Sequence, residues 1–288
     1  SIKKSNSLDK ILAAVKTETA PVEKQSYVDE RLWKPELDKS GNGYAVVRFL
    51  PSSDNEAMPW AKLWNHAFQG PTGKWFIENS LTTLNQKDPV SEYNSSLWNS
   101  GVESDKEIAR RQKRKLQYYS NIYVVADPQH PENEGKVFLF RYGKKIFDKL
   151  MEALQPQFED ETPVNPFDLD TGANFKLKIR KVDGYWNYDK SEFDSSSKLD
   201  NQDKVVESLY SLAEFTAPSN FKTYDELKSR LNDVLTGTQS SSSSAEDVEL
   251  NDNVETDVED KQYVDKVVST TKESDDSLDY FQKLAKEA

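Results

Sequence analysis

The fold class this sequence predicts is α+β: β-rich with helices, ending in a disordered acidic C-terminal tail. Three observations predict it. Short runs of β-branched and aromatic residues recur between turn signals, as in YAVVRFL (44–50) and KVFLFRY (136–142). Stretches with helical spacing of apolar residues lie between and after them. Charge is unevenly divided: residues 239–288 hold 14 Asp and Glu against 5 Lys, so nine of the twelve net negative charges of the 288-residue chain lie there.

Residues 1–20 read as a basic arm in which Lys3, Lys4, Lys10 and Lys16 accompany a weak helical pattern of Leu8, Ile11, Leu12 and Val15, and Pro21 closes it. The core is expected over 21–238. GNG at 41–43 is a turn signal, and the strand 44–50 that follows is stopped by Pro51. WAKLWNHAF and KWFIE flank QGPTG, so 60–78 predicts a β-hairpin. Residues 79–100 are polar and weakly patterned, and loops or short irregular elements are expected there. SNIYVVA (120–126) and KVFLFRY read as strands on either side of the long turn DPQHPENEG. After Gly143, KKIFDKLMEAL places Ile146, Phe147, Leu150, Met151 and Leu154 on one helical face. In NFKLKIRKV (174–182), Phe175, Leu177 and Ile179 alternate with Lys176, Lys178 and Arg180, the pattern of a half-buried strand. Two helices are expected to close the core, VVESLYSLAEF (205–215) and TYDELKSRLNDVL (223–235), the second with the capping-box pair Thr223 and Glu226. Short strands with helices and irregular loops point to a small barrel of the OB type with elaborating loops and helices. Beyond it, Ser240–Ser244 opens a flexible linker, and the final SLDYFQKLAKEA could form a short amphipathic helix that docks on a partner.

Several chemistries are excluded or disfavoured. The chain has no cysteine, hence no disulfide and no thiolate metal site. Its two histidines, His66 and His130, accompany no nucleophile elbow, phosphate loop, dinucleotide fingerprint or HExxH motif, so no enzyme is expected. No apolar run approaches the roughly 18 residues of a membrane span, and ILAAV is too short for a secretory core of about 7–15 residues. An intracellular protein without a membrane partner is expected.

What recurs is cation beside aromatic. Arg110, Arg111, Lys113, Arg114 and Lys115 run directly into Tyr118 and Tyr119. Arg48 precedes Phe49, Phe140 and Tyr142 flank Arg141 ahead of Lys144 and Lys145, and KIRKVDGYWNYDK follows at 178–190. Single-stranded nucleic acid needs both ingredients: phosphates that lysine and arginine neutralise, and unpaired bases that stack on aromatic rings for about 1–3 kcal/mol each. Each instance alone has an ordinary reading, a solvated charge run or a strand's core face. Their repetition in a chain that is otherwise acidic favours the functional one.

In GNGYAVVRFLP, the NHAF…GKWFIE hairpin, KRK before Tyr-Tyr, DPQHPENEGKVF, FRYGKKIFDK, GANFKLKI and GYWNYD, the chain resembles the family of T-even-type bacteriophage single-stranded DNA-binding (helix-destabilising) proteins, in the same order over about residues 41–190. The resemblance implies an OB-fold core that coats the replication template cooperatively, without catalysis, in the cytoplasm of an infected bacterium. It places Arg48, Lys113, Arg114 and Lys115 on a basic cleft, with Tyr118, Tyr119, Phe140, Tyr185 and Tyr188 at the family's aromatic positions and Trp98 near another. It implies that Lys3, Lys4 and Ser5 belong to a motif that binds neighbouring copies along the strand. It also implies that the acidic tail covers the cleft and recruits replication and recombination proteins. One departure concerns the family's zinc. His66 stands at its histidine position, but the cysteine positions hold Ser80, Asp88 and Ser91, so no cofactor and no structural zinc are expected. Leu81, Leu84, Val90 and Tyr93 are the candidates to plug the loop instead. Two other readings remain open from the residues: an RNA-binding OB-fold protein in translational control, and a scaffold whose tail binds basic partners.

Overall fold

The computed structural model describes residues 29–53, 57–182 and 184–237. The expected arm with Lys3, Lys4 and Ser5, and the tail from Gln239, lie outside the described residues. The chain divides into two compact units, Ser1–Leu32 and Trp33–Ala288. In the first, Arg31 donates to both carboxylate oxygens of Asp29, at 2.9 and 2.7 Å. A two-residue strand, β1, is formed by Leu32–Trp33.

The second unit is a mixed α+β structure. Its strands are β2 (Gly43–Phe49), β3 (Ala61–Gln69), β4 (Trp75–Asn79), β5 (Lys115–Ala126), β6 (Val137–Tyr142), β7 (Ala173–Val182), β8 (Tyr185–Asn187) and β9 (Glu192–Ser196). Its helices are α1 (Pro89–Asn99), α2 (Glu103–Arg111), α3 (Lys144–Leu154), α4 (Gln202–Glu207) and α5 (Tyr224–Thr236). β5 organises the sheet. One edge pairs first with β3 (Lys115–Tyr119) and then with β2 (Ile122–Ala126), while β6 runs along the other. β2 also pairs with β7, which carries β8 and β9, and β4 hangs from β3. Among the described residues no ladder closes this sheet into a ring: it is open and branched. No described helix is long and apolar enough to cross a membrane.

The main core lies where β2, β5, β6 and β7 turn their apolar faces to α3. Phe49 sits at its centre, with the rings of Tyr142, Phe175 and Phe167 at 5.6, 5.8 and 5.9 Å. A satellite core lies under the β3–β4 hairpin, where Phe68, Phe76, Leu81 and Val90 meet Leu227, Leu231 and Val234 of α5. Tyr93 packs against it, so Leu81, Val90 and Tyr93 of the expected plug meet here. The hairpin turn approaches α5 so closely that a Cβ on Gly70 would lie 2.4 Å from the Val234 carbonyl, which also accepts from Thr72 Oγ1 at 2.6 Å.

Three expected elements differ. The strand expected over 120–126 begins already at Lys115. Residues 79–100 are not irregular: a short 3₁₀ turn at Leu81–Leu84 leads into α1, which Asp88 caps by accepting from Val90 N and Ser91 N, with Pro89 at the first helical position. The helix expected over 205–215 breaks after Glu207. Buried Asn121 of β5 takes both backbone groups of Tyr210, at 2.9 and 3.0 Å, and these bonds across the fold replace the helical ones.

Candidate nucleic-acid interface

The basic run lies at a junction. Arg110 and Arg111 form the last turn of α2, Gln112 caps it, Lys113 and Arg114 connect, and Lys115 opens β5. Cations in a helix's last turn are favoured by its dipole, which stabilises charge here without reference to any ligand. Arg110 is also engaged by Glu103 and Glu107 on its own helix, and its guanidinium lies 5.4 Å from the centroid of Trp98. Those carboxylates hold the Arg110 guanidinium above its ordinary pKa range, Glu103 foremost.

Arg114 lies over another indole. Its guanidinium carbon is 3.9 Å from the centroid of Trp64 on β3, and Lys62, two residues earlier on that strand, is 5.7 Å from the same ring. Strand pairing sets Lys62 opposite Tyr118 and Trp64 opposite Leu116, so Lys62, Trp64 and Tyr118 share one face of the sheet. Tyr118 stacks on Phe147 of α3 at 3.9 Å with 4° between planes, and on Tyr142 at 5.8 Å. Cation and indole therefore stand beside a phenol that is itself buried in the main core. Lys62 and Trp64 were missed at the level of sequence, although the alternation K-L-W in β3 is the same pairing of cation and ring found elsewhere.

Other expected site residues lie differently. Tyr119 cannot share a wall with Tyr118, because successive strand residues point to opposite faces. It stacks instead on Phe215, at 4.0 Å. Arg48 is fully buried: Nη2 donates to the carbonyls of Asp168 and Ser197 at 2.9 and 2.8 Å, and burial lowers its pKa despite Asp168 nearby. It ties loops together instead of facing a cleft. Phe140 is a core residue, edge-on to Trp33 at 5.2 Å, and Tyr188 is buried in the same core. Trp98 and Tyr185 are open, 41 % and 39 % exposed, Tyr185 at the start of β8. The cations of β7 are largely committed to carboxylates: Lys176 pairs with Asp194 and Lys178 with Glu192, at 2.8 and 2.7 Å.

Behind the basic run, His66 and Asp88 form a buried polar centre. His66 Nε2 lies 3.2 Å from Asp88 Oδ1, and its Nδ1 lies 3.3 Å from the Gln112 carbonyl. The Asp88 carboxylate also accepts from Ser80 Oγ and from the amides of Leu81, Val90 and Ser91, at 2.9–3.1 Å. Burial alone would raise the Asp88 pKa. The hydrogen bond and charge of His66, with the Ser91 amide and Ser80, outweigh it and hold the carboxyl at about 2. These residues do not fit the family's zinc. Serine is a poor ligand, the carboxylate oxygens are already saturated with donors, and no three His, Cys, Asp or Glu among the described residues group as a metal site.

A family model described as "gp32 DNA binding protein like" matches residues 41–235. The chain is 42 % identical over 216 residues to the single-stranded DNA-binding protein of Enterobacteria phage T2, covering 72 % of this chain and 70 % of that one. The phage T4 protein of the same name gives the same identity, with 71 % of it covered. The phage RB70 protein is 43 % identical over 93 residues, 32 % of this chain and 77 % of its own. On this match, and with the cations and rings of the β3–β5 face in place, the chain belongs to the gp32-like DNA-binding protein family.

Proposed function

We propose that this chain binds single-stranded DNA without reading its sequence, coating the template during phage replication, recombination and repair, and catalyses no reaction. One observation carries the reading beyond family membership: Arg114 and Lys62 meet the Trp64 ring where the basic run enters β5, while Lys115, by strand alternation, lies on the other face with Tyr119. Phosphates would draw the lysines and arginines, and a base would stack on the Trp64 ring that Lys62 and Arg114 now cover. Exposed Trp98 and Tyr185 are candidate platforms beyond this face, with Arg110 and Arg111 as flanking cations. Tyr118 and Tyr119, buried on opposite faces of β5, and the buried Arg48, Phe140 and Tyr188 would support the site from within.

The same reading includes finer parts. The core is an elaborated OB-type barrel, supported by the way β5 hands one edge from β3 to β2. The basic arm 1–20, with Lys3, Lys4 and Ser5, joins neighbouring copies along the strand. The acidic tail 239–288 competes with DNA for the cations and recruits replication and recombination proteins. The setting is the cytoplasm of an infected bacterium.

Titration of intrinsic tryptophan fluorescence with oligo(dT) at several salt concentrations tests this. Quenching is expected, with log affinity falling linearly in log salt. No binding at low salt contradicts the reading, and equal or tighter binding of poly(U) would move it to RNA and translational control.

A further inference from the structure

The root of the basic run is tied down from behind. Gln112 is buried and immediately precedes Lys113; its backbone carbonyl accepts from Asn94 Nδ2 at 3.0 Å and lies 3.3 Å from His66 Nδ1. His66 reaches from β3 and Asn94 from α1. The other nitrogen of His66 rests on Asp88, and Asp88 gathers Ser80 Oγ and the amides of Leu81, Val90 and Ser91. The chain of bonds thus runs from the 3₁₀ turn and the α1 N-terminus, through β3, to the residue before Lys113. His66, Ser80, Asp88 and Gln112 are all buried.

We propose that His66, with Asp88 behind it and Asn94 beside it, is a positioning device for Lys113–Lys115, a hydrogen-bonded pin that fixes where the basic run leaves α2 and enters β5. The inference rests on the reading above that this run contacts the strand. The bonds on Asp88 and on the Gln112 carbonyl favour one arrangement, because breaking them leaves a carboxylate or a carbonyl unpaired in a dry interior; the buried side-chain oxygens of Gln112 and Asn94 take no part in them. The Asn94 donor and the His66 ring nitrogen on one carbonyl hold the peptide plane between Gln112 and Lys113. That plane sets the direction in which the next three side chains depart, including Arg114 toward Trp64. A run held in place before DNA arrives has less ordering left to lose on binding. None of these groups need touch DNA.

Full-length protein carrying His66→Phe, which fills the ring's volume and removes both bonds, separates this from a purely structural role. Amide hydrogen exchange at residues 112–115 should accelerate, and oligo(dT) affinity should fall by about tenfold. The slope of log affinity against log salt should stay as in the parent, because the same cations still meet phosphates. Asn94→Leu, at a half-buried position, removes only the second tie, should give the same changes in smaller measure, and serves if His66→Phe does not fold. His66→Gln, which keeps a donor toward Asp88, should recover part of the affinity. A folded variant with parental exchange at 112–115 and parental affinity overturns the proposal. The Lys113→Ala/Arg114→Ala/Lys115→Ala protein keeps the two readings apart. If it binds like the parent, the contact role of the run falls and the pin's function with it. If it binds weakly while folded His66→Phe and Asn94→Leu bind normally, only the pin falls.

Discussion

The two cores of this molecule are built by different physics. The main core is rings and branched chains: Phe49, Phe175, Tyr142 and Leu177 interlock across three strands, and removal from water supplies the driving force. The satellite core under the β3–β4 hairpin is smaller and depends on polar bonds at its edges. Asp88 collects donors from three chain segments. Glu78 accepts from Lys222 and Arg230, and Tyr224 donates to Glu92 at 2.6 Å, so α5 is fastened to the hairpin and α1 from more than a hundred residues away. The main core makes the sheet, while the satellite core sets where the basic run stands on it.

This contrast can be broken from either side. Phe49→Ala should have the largest effect, about 3–5 kcal/mol lost in urea unfolding, with both cores unfolding together because the sheet carries the hairpin. Asp88→Ala should cost about 3 kcal/mol, since four donors and His66 lose their acceptor in a buried site. The loss should be concentrated in the satellite core, read as faster hydrogen exchange in α1 and β4 with β2 and β7 spared. Equal acceleration in both regions would show that the cores are one cooperative unit. Thr223→Ala removes one half of the capping box that starts α5 and should cost about 1 kcal/mol, again on the satellite side.

Acid should reach the satellite core first. The Asp88 carboxyl titrates lower in the folded chain, at about 2, than its ordinary 3.8. A depressed carboxylate stabilises the fold at pH above its unfolded value, and that contribution is lost as pH falls from about 4 toward 2. Circular dichroism and exchange between those values should show α1 loosening before β2, and Asp88→Asn should remove the difference. Chelators should change neither the melting temperature nor DNA affinity, in keeping with a donor set that does not suit zinc.

The same contrast explains what the sequence could and could not reveal. Strands 44–50, 136–142 and 174–182 and helix α3 are visible because their burial follows a local period, and the Thr223–Glu226 box marks α5 by itself. The satellite core is mostly invisible because its bonds run between distant segments. Residues 79–100 look irregular until Asp88 is seen as a cap, and 205–215 look helical until Asn121 claims the backbone of Tyr210. In the candidate site, the basic run and the exposed Trp98 and Tyr185 were legible as cation and ring. The inward turn of Arg48 was not, since only the fold supplies the carbonyls of Asp168 and Ser197 that take its charge. The separation of Tyr118 from Tyr119 could have been read from strand alternation, once β5 is seen to begin at Lys115 rather than at Ser120.

The central claim is that Lys113, Arg114 and Lys115 meet the phosphates of an unpaired strand. Replacing all three by alanine and measuring oligo(dT) affinity across salt concentrations tests it most directly. The claim predicts a slope of log affinity against log salt that is shallower by about 2, three contacts at about 0.7 each on a single strand. A folded triple variant whose slope matches the parent's would contradict it.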